Sequence, residues 1–209
     1  MQVLVIGAGN MGAGFVKQLT AAGHQVSVTA RDAAKAQTMA QQYGARAVPA
    51  AGAADSVDAV VIATPYEGAA AALQSLGKFD GKVVIDITNP LTPDYMGLTV
   101  GHSTSAAEEI AKVVPGAEIV KAFNTVFAQV LAEGADFGAG QKVSVFVASD
   151  SERAKQTARA LAESMGFQVV DAGGLKNARY LEPVAGLNIY LGYGAGLGTS
   201  IAPTWIRKS

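Results

Sequence analysis

Three glycines near the N-terminus have the spacing of a phosphate-binding turn. Gly7, Gly9 and Gly12 follow a short apolar run and precede a helix-compatible stretch. The pattern G-x-G-x-x-G is weak alone, but a strand before it and a helix after it make it specific. The first glycine permits a tight turn, the second lets the backbone approach a pyrophosphate, and the third lets the helix pack closely. The helix N-terminus, with Asn10 and Met11, then presents unpaired N–H groups to the phosphates.

The residues after the second predicted strand favour NADP over NAD. An NAD-binding protein should carry an Asp or Glu about 20 residues beyond the glycines, to hold the ribose 2′-hydroxyl. Thr29, Ala30 and Arg31 occupy that place here. An arginine suits a 2′-phosphate, and Thr29 before it and Lys35 one helical turn later favour a phosphate cradle. A solvated surface arginine is the alternative interpretation of Arg31.

Polar residues and prolines follow three further predicted strands, in the segments Thr64-Pro65-Tyr66, Thr88-Asn89-Pro90 and Phe123-Asn124-Thr125. In open α/β sheets, ligands bind at the carboxyl ends of strands, so these segments should line one cleft beside the phosphate site. We predict that Thr64, Pro65, Tyr66 and Asn89 contact the cofactor. Asn89, Pro90 and Asn124 are the candidates for the reacting part of the cleft. The alternative is that Asn-Pro is simply a good turn former.

The cleft lacks a recognisable set of acid–base residues. Neither a Ser-His-Asp order, nor a Lys-Asn pair on a long helix, nor a Ser-Tyr-Lys set is found in the sequence. Oxidation of an alcohol needs acid–base help, whereas a hydride passing between two ring cofactors needs mainly aligned rings. The sequence therefore favours hydride transfer between rings, with no firm catalytic residue.

Composition excludes several classes of protein. The 209 residues are 50% hydrophobic and 16% charged, which favours a well-buried α/β sheet over a disordered chain. The net charge is −1, so the charge does not indicate a nucleic-acid partner. The chain has no cysteine and two histidines, which excludes disulfides and thiolate catalysis and argues against a metal cluster. The N-terminus enters a strand at once, and the apolar segment Val184 to Leu197 is too short for a membrane span. We therefore predict a cytoplasmic protein.

The elements that position these residues alternate as in a Rossmann-type, doubly wound, mostly parallel α/β sheet. The β-branched runs predict strands at 3–6, 25–29, 45–47, 59–63, 83–86, 119–122, 143–148 and 168–171. Alanine-rich segments predict helices at 11–22, 33–43, 68–76, 105–114, 126–132, 151–165 and 177–190. We predict an NADP-binding domain over 1–124 and a smaller α/β part over 125–209 that closes the cleft. The two parts should share one continuous sheet, and the irregular stretch 90–104 has the length of a functional loop.

The chain resembles the deazaflavin-dependent NADP oxidoreductases (coenzyme F420 reductases), whose Rossmann domain is also similar to the cytosolic part of the six-transmembrane ferric reductases. The resemblance spans nearly the whole chain and rests on Gly7–Gly12, Thr29–Arg31, Thr64–Tyr66, Ser105–Glu108, Lys121–Thr125, Asp171–Gly173 and Asn177–Glu182. It implies reversible hydride transfer between NADPH and a flavin-like ring, in a homodimer. It also implies that the phosphates lie on Gly9–Gly12 and the 2′-phosphate on the cradle at 29–31.

Two positions depart from the family pattern. Members usually have Gly-Ser-Arg in the cradle, where this chain has Ala30 in place of serine, and some have a histidine where Asn124 stands. As the resemblance implies, we predict a deazaflavin or a flavin-type acceptor as the second substrate. A non-catalytic NADP(H)-binding sensor or partner module is the alternative function.

The glycine segment is also similar to that of pyrroline-5-carboxylate reductases and β-hydroxyacid dehydrogenases. Both need a long C-terminal helical domain, whereas the residues after Asn124 still alternate strand and helix. We therefore reject both. The apolar, glycine-bearing segment Val184 to Leu197 is instead the candidate dimer interface.

Overall fold

In the computed structural model, which describes residues 1–205 and Lys208, the short apolar runs form a six-stranded parallel sheet. The strands are β1 Gln2–Ile6, β2 Gln25–Thr29, β3 Arg46–Ala47, β4 Ala59–Ile62, β5 Val83–Asp86 and β6 Glu118–Lys121. Their order is β3-β2-β1-β4-β5-β6, with every neighbouring pair parallel. The predicted Rossmann-type fold is confirmed. The order reverses direction between β1 and β4, so a crevice opens at the carboxyl ends of these strands.

Seven α-helices in the described part of the chain pack around this sheet: α1 Asn10–Ala21, α2 Ala33–Tyr43, α3 Tyr66–Gln74, α4 Ala106–Val113, α5 Ala128–Glu133, α6 Glu152–Ser164 and α7 Ala178–Ile189. Alternate residues of β1 face opposite sides, because side chains alternate along a strand. Val3 and Val5 join the core beneath α1, α2, α5 and α6, and Leu4 and Ile6 join the core beneath α3 and α4. Among the described residues, no helix is long and apolar enough to cross a membrane.

Helix α3 begins earlier than the sequence predicts. Its first residue is Tyr66 rather than Gly68, because Pro65 occupies the N-cap with φ of −55°. A missing N–H breaks no helical hydrogen bond at that position. Tyr66 therefore lies in the first turn of a helix at the carboxyl edge of the sheet.

The C-terminal strands overturn the expectation of one continuous sheet. β7 Ser144–Val147 and β8 Gln168–Asp171 form a separate two-stranded parallel sheet. An isolated antiparallel bridge between Lys121 and Ala148 joins it to β6. The ladder stops there because the Ser149 hydroxyl, rather than a backbone N–H, donates to the Ile119 carbonyl at 2.6 Å. The predicted division at residue 124 stays a prediction, and its C-terminal limit, Ser209, lies outside the described residues.

Three buried charges tie the ends of β5, β6 and α7 together. Lys121 and Asp86 are fully buried, and Glu182 is 1% exposed. The Lys121 ammonium donates to Asp86 Oδ2 at 2.8 Å and to the Thr88 carbonyl at 2.6 Å. Its third partner is Glu182 Oε1, at 2.8 Å. The C-terminal helix is thereby fastened to the carboxyl edge of the six-stranded sheet.

Glu182 also completes the N-terminus of α4. Its carboxylate accepts hydrogen bonds from the backbone N–H groups of Ala106 and Ala107, at 2.9 and 3.2 Å. A helix leaves such groups unpaired at its start, and its dipole favours a negative charge there. One residue of α7 thus holds both α4 and, through Lys121, the strand ends.

The irregular stretch 90–104 is a loop closed by its own hydrogen bonds. Leu91 and Leu98 form an antiparallel bridge, and Thr99 N–H donates to the Pro90 carbonyl at 2.7 Å. Leu98 also lies against Gly186 of α7. The loop therefore returns to the sheet edge beside the C-terminal helix.

Candidate functional site

The glycine turn between β1 and α1 has the geometry that its spacing predicts. Gly7 has φ of 118°, and a Cβ there would lie 2.3 Å from the Ala63 carbonyl oxygen. A Cβ on Gly12 would lie 2.0 Å from the Gly7 carbonyl oxygen, a distance that only glycine allows. Around Gly9, by contrast, nothing beyond its chain neighbours lies within 4 Å of the Cβ position. Gly7 and Gly12 are thus required by close packing, whereas Gly9 leaves open space in front of the helix.

Helix α1 begins at this turn without a side-chain cap. Gly9 is the N-cap residue, no side chain accepts a hydrogen bond from the first turn, and that turn holds no acidic residue. Helices α2 and α4, in contrast, are capped by the side chains of Asp32 and Ser105. The positive end of the α1 dipole therefore faces the open space at Gly9, where an anion would be stabilised.

The predicted 2′-phosphate cradle follows β2, next to the glycine turn. Thr29 is buried, and its carbonyl accepts a hydrogen bond from Gly7 N–H at 2.8 Å. Ala30 is half-buried, while Arg31 and Lys35 are exposed. Two cations are thus available to a ligand at this end of β2, and their contact with a 2′-phosphate stays a prediction.

The remaining predicted segments lie along the same edge, because β4, β5 and β6 are neighbours in the sheet. Thr64, Pro65 and Tyr66 follow β4, the segment Thr88-Asn89-Pro90 follows β5, and Phe123-Asn124-Thr125 follows β6. Two of them are joined by side chains. Asn89 Nδ2 donates to the Asn124 carbonyl at 2.8 Å, and Asn124 Nδ2 donates to Asn89 Oδ1 at 3.1 Å. The structure therefore brings Asn89 and Asn124 into direct contact, while their place in a ligand cleft stays a prediction.

Buried polar atoms without a hydrogen-bond partner are concentrated at this edge. Across the described residues there are five, and four of them follow β4, β5 or β6: the hydroxyls of Thr64, Thr88 and Thr125 and the Oδ1 of Asn124. An unpaired buried polar group costs about 1–3 kcal/mol, and native proteins rarely leave one. Four such atoms along one sheet edge leave hydrogen-bonding capacity there that a polar partner could use.

In the Asn124 side chain, the amide nitrogen has hydrogen-bond partners but the oxygen has none. Its Nδ2 donates to the Leu181 carbonyl at 2.9 Å as well as to Asn89 Oδ1, so both amide hydrogens are used. Its Oδ1 has no partner although the residue is only 6% exposed. A carboxamide oxygen in this state can accept a hydrogen bond from a ligand.

The residue before Asn124 has a strained backbone. Phe123 has φ of 59°, in the left-handed region that bulky residues rarely adopt. Its ring packs edge-on against Phe15 and Phe167, with centroids 5.0 and 5.9 Å away. Such strain persists only where the surroundings impose it, and it is found most often at functional sites. Here aromatic packing fixes the turn that presents Asn124.

Tyr66 stands among carboxylates at the same edge. Burial raises the pKa of Tyr66 above its ordinary value, and the negative charges of Glu109, Glu182, Asp86 and Glu67 raise that pKa further. Its hydroxyl therefore keeps its proton at neutral pH and can donate a hydrogen bond. In the part of the chain that the structure describes, no three His, Cys, Asp or Glu side chains are grouped to hold a metal ion.

The sequence analysis assigns no site role to Asp86, Lys121 or Glu182, although all three are buried beside the candidate site. The available signal was a charge at the end of an apolar run, since strands buried on both faces seldom carry unpaired charges. That signal indicates Asp86 and Lys121. It does not indicate Glu182, which lies on a helix far along the chain from its partners.

Known proteins similar to this chain include two reductase groups. Residues 2–90 match the family model described as NADP oxidoreductase, coenzyme F420-dependent. The F420-dependent NADP reductase of Methanothermobacter marburgensis is 31% identical over an alignment of length 209. That alignment covers 91% of this chain and 92% of that protein. The rat metalloreductase STEAP3 is 27% identical over 183 residues, which are 88% of this chain but 36% of STEAP3.

A solved structure covers almost the same length. It is a protein of Arthrobacter sp. FB24 assigned to the F420-dependent NADP reductases, and it aligns with a TM-score of 0.87 at 27% identity. The alignment covers 98% of this chain and 99% of that one. The architecture described above, including the C-terminal elements, is therefore shared along the full alignment.

Replacement of Gly12 by alanine should destabilise the protein, because the added methyl would lie 2.0 Å from the Gly7 carbonyl oxygen. We expect the free energy of unfolding to fall by about 2–3 kcal/mol, as in an overpacked core. Urea denaturation of the variant measures it. Gly9→Ala is the matched control, since its methyl enters open space and should cost less than about 1 kcal/mol. Equal losses in both variants would contradict the close approach of α1 to the turn.

Proposed function

The chain belongs to the coenzyme F420-dependent NADP oxidoreductase family, and we propose that it transfers hydride between NADP(H) and a deazaflavin or flavin-type ring. The family resemblance in the sequence is thereby confirmed, and the chain is an NADP-dependent oxidoreductase. The observation that carries the finer proposal is the row of unpaired buried polar atoms beside the uncapped start of α1. These groups fit a ligand that combines phosphates with polar rings.

The phosphate half of the ligand would lie on Gly9–Gly12. The N–H groups of the first turn, including those of Asn10 and Met11, have no side-chain cap and would donate to the pyrophosphate. Arg31, assisted by Lys35 and Thr29, would hold the 2′-phosphate through charge-assisted hydrogen bonds. The missing hydroxyl at Ala30 leaves the buried Thr29 as the hydroxyl of this cradle.

The rings would lie at the carboxyl ends of β4, β5 and β6. Bound there, NADPH supplies the hydride that the second ring accepts together with a proton. The residues of the chain would orient the rings: the Asn124 Oδ1 and the hydroxyls of Thr88 and Thr125 are unpaired acceptors or donors at this edge. Leu181, whose carbonyl holds Asn124, would help to keep water away. Alignment at contact distance is the main contribution that this transfer needs.

The test of this proposal is oxidation of NADPH by candidate rings. We expect stopped-flow absorbance to show NADPH consumed with coenzyme F420, FMN, FAD or riboflavin, well above the rate without an acceptor. Tight NADPH binding without turnover on all four would contradict the proposal. That outcome would favour a non-catalytic sensor or partner module, and a change of assembly state on NADPH binding would support the module directly.

Replacement of Arg31 by alanine should weaken NADPH binding but leave NADH binding almost unchanged, because NADH lacks the 2′-phosphate. The loss of one charge-assisted contact corresponds to about 1.5–3 kcal/mol. Fluorescence titration with both nucleotides measures the difference. Arg159→Ala is the matched control, because Arg159 is a surface arginine on α6 that pairs with Glu163. Equal losses for NADPH and NADH would mean that Arg31 does not meet the 2′-phosphate.

We also propose that the protein is a homodimer paired through one face of α7. Tyr180, Pro183 and Leu187 of α7 and Tyr190, the residue directly after it, are all exposed and recur three or four residues apart, which places them along one side of the helix and its end. Large apolar side chains grouped on one exposed face often belong to an interaction surface. A twofold dimer would pair this same face of two copies, so the proposed partner is a second copy of the chain. The cytoplasmic location stays a prediction from the sequence.

Replacement of Leu187 by aspartate should convert the dimer to a monomer, because two like charges would meet at the centre of the interface. Size-exclusion chromatography with light scattering gives the mass. Phe137→Asp is the matched control, since Phe137 is also exposed but lies outside α7. A monomeric parent protein, or a dimer that persists in the Leu187 variant, would contradict this interface.

A further inference from the structure

We propose that Lys121 and Glu182 are positioning residues that aim the Asn124 carboxamide oxygen at an N–H donor of a bound ring. This inference rests on the proposed function, since it states what one residue of that site recognises. Lys121 and Glu182 would not touch the ligand. They would act through Leu181, the residue next to Glu182, whose carbonyl accepts the Asn124 amide at 2.9 Å.

The Lys121 ammonium contacts three oxygen atoms of the protein. An ammonium group has three hydrogens. Its three oxygen partners are Asp86 Oδ2 at 2.8 Å, the Thr88 carbonyl at 2.6 Å and Glu182 Oε1 at 2.8 Å. All of them are protein atoms, and the side chain is fully buried. Lys121 therefore holds structure in place rather than reacting.

The charges of this cluster contribute more to fixing the position of α7 than to the stability of the fold. Burying an ion costs several kcal/mol, and apolar replacements of buried ion groups are often equally stable. One ammonium faces two carboxylates here, and the excess negative charge is met by Ala106 and Ala107 N–H at 2.9 and 3.2 Å. Glu182 thus has partners on both sides, and a shift of α7 would break them together. This is the behaviour expected of a group that fixes one arrangement of α7.

The fixed helix determines which way the Asn124 amide points. Backbone carbonyls only accept hydrogen bonds, so the amide nitrogen rather than the oxygen must face Leu181. The same nitrogen faces Asn89 Oδ1 at 3.1 Å. A flipped amide would place its oxygen against two acceptors. The orientation leaves Oδ1 as the unpaired atom, buried at the ring end of the site.

The chemistry of a free carboxamide oxygen defines the ligand group that it takes, which is an N–H donor. Two groups of the proposed reactants carry one: the carboxamide of nicotinamide and the imide of a deazaflavin or flavin ring. Both are amide-type N–H groups on a flat ring, and they belong to different molecules. Binding measurements on each molecule separately distinguish them.

The test is a double-mutant cycle on binding rather than on turnover. Dissociation constants for NADPH and for coenzyme F420 are measured by fluorescence titration in the parent protein, Asn124→Ala, Glu182→Gln and the double variant. We expect each single variant to weaken the same one of the two ligands by about tenfold, the upper end for one hydrogen bond. The double variant should bind no more weakly than Asn124→Ala, because Glu182 acts through Asn124.

The pattern of losses identifies the ring. A loss confined to NADPH assigns the contact to the nicotinamide carboxamide, and Asn124→Ala should then leave the binding of the 3-acetylpyridine analogue, which lacks that N–H, unchanged. A loss confined to coenzyme F420 assigns it to the imide. Three results would each overturn the inference: a loss of affinity in the double variant equal to the product of the two single losses, equal losses of affinity for both ligands, or no loss of affinity in either single variant.

Controls separate positioning from general damage. Glu108→Gln removes another contact between α4 and α7, the ion pair with Arg179 at 2.7 Å, but touches neither Lys121 nor Asn124. It should leave both dissociation constants unchanged. If Glu182→Gln does not fold by circular dichroism, Lys121→Met takes its place with the same expectations. If the parent protein binds NADPH but oxidises none of it, the proposed reaction is wrong. The binding measurements would still decide the role of Glu182.

Discussion

The buried ammonium of Lys121 is the contact that the C-terminal part of the molecule depends on for its place. It joins the ends of β5 and β6 to α7, and Glu182 extends the connection to the start of α4. Removing one partner from such a cluster leaves the others buried without compensation, which typically costs about 3–5 kcal/mol. Few side chains at this edge could therefore change independently. The cluster lies beside the strand ends where the reactive rings are proposed to bind, so the same atoms that connect the two parts also shape the site.

The two halves of the proposed site have different structural origins. The phosphate half is local, since Gly7, Gly9 and Gly12 lie within one turn, and Thr29 contacts that turn through its carbonyl. The ring half is composite. Asn124 comes from the end of β6, but its amide is oriented by Asn89 after β5 and by Leu181 on α7. In the proposed site, the first elements of the sheet would anchor the cofactor, whereas the C-terminal helix would help to orient the rings.

This division explains what the sequence could and could not predict. The glycine turn and the shared edge of the strand ends follow from local spacing and from the rule that parallel strands end at one edge, and so they could be predicted without coordinates. The phosphate role of the cradle at 29–31 stays a prediction. The continuous sheet was a wrong prediction, because strand propensity does not reveal that the Ser149 hydroxyl would take the place of a ladder bond. The partnership of Glu182 with Lys121 was missed for the same reason. Pairing between distant residues leaves no periodic trace in either segment.

The charged groups around the ring half argue for orientation rather than proton exchange as the contribution of the chain. Lys121 donates hydrogen bonds to Asp86 and to the Thr88 carbonyl. It also forms an ion pair with Glu182, whose carboxylate accepts hydrogen bonds from the start of α4. Asp86 is likewise occupied, by Lys121 and by the N–H of Thr88 at 2.8 Å. Tyr66 stays protonated because burial, and then the carboxylates around it, raise its pKa above the ordinary value. What remains unpaired is neutral: three hydroxyls and one carboxamide oxygen. Neutral groups of this kind can hold a polar ring at a set angle but are poor general acids or bases near neutral pH, which suits hydride transfer between two rings better than oxidation of an alcohol.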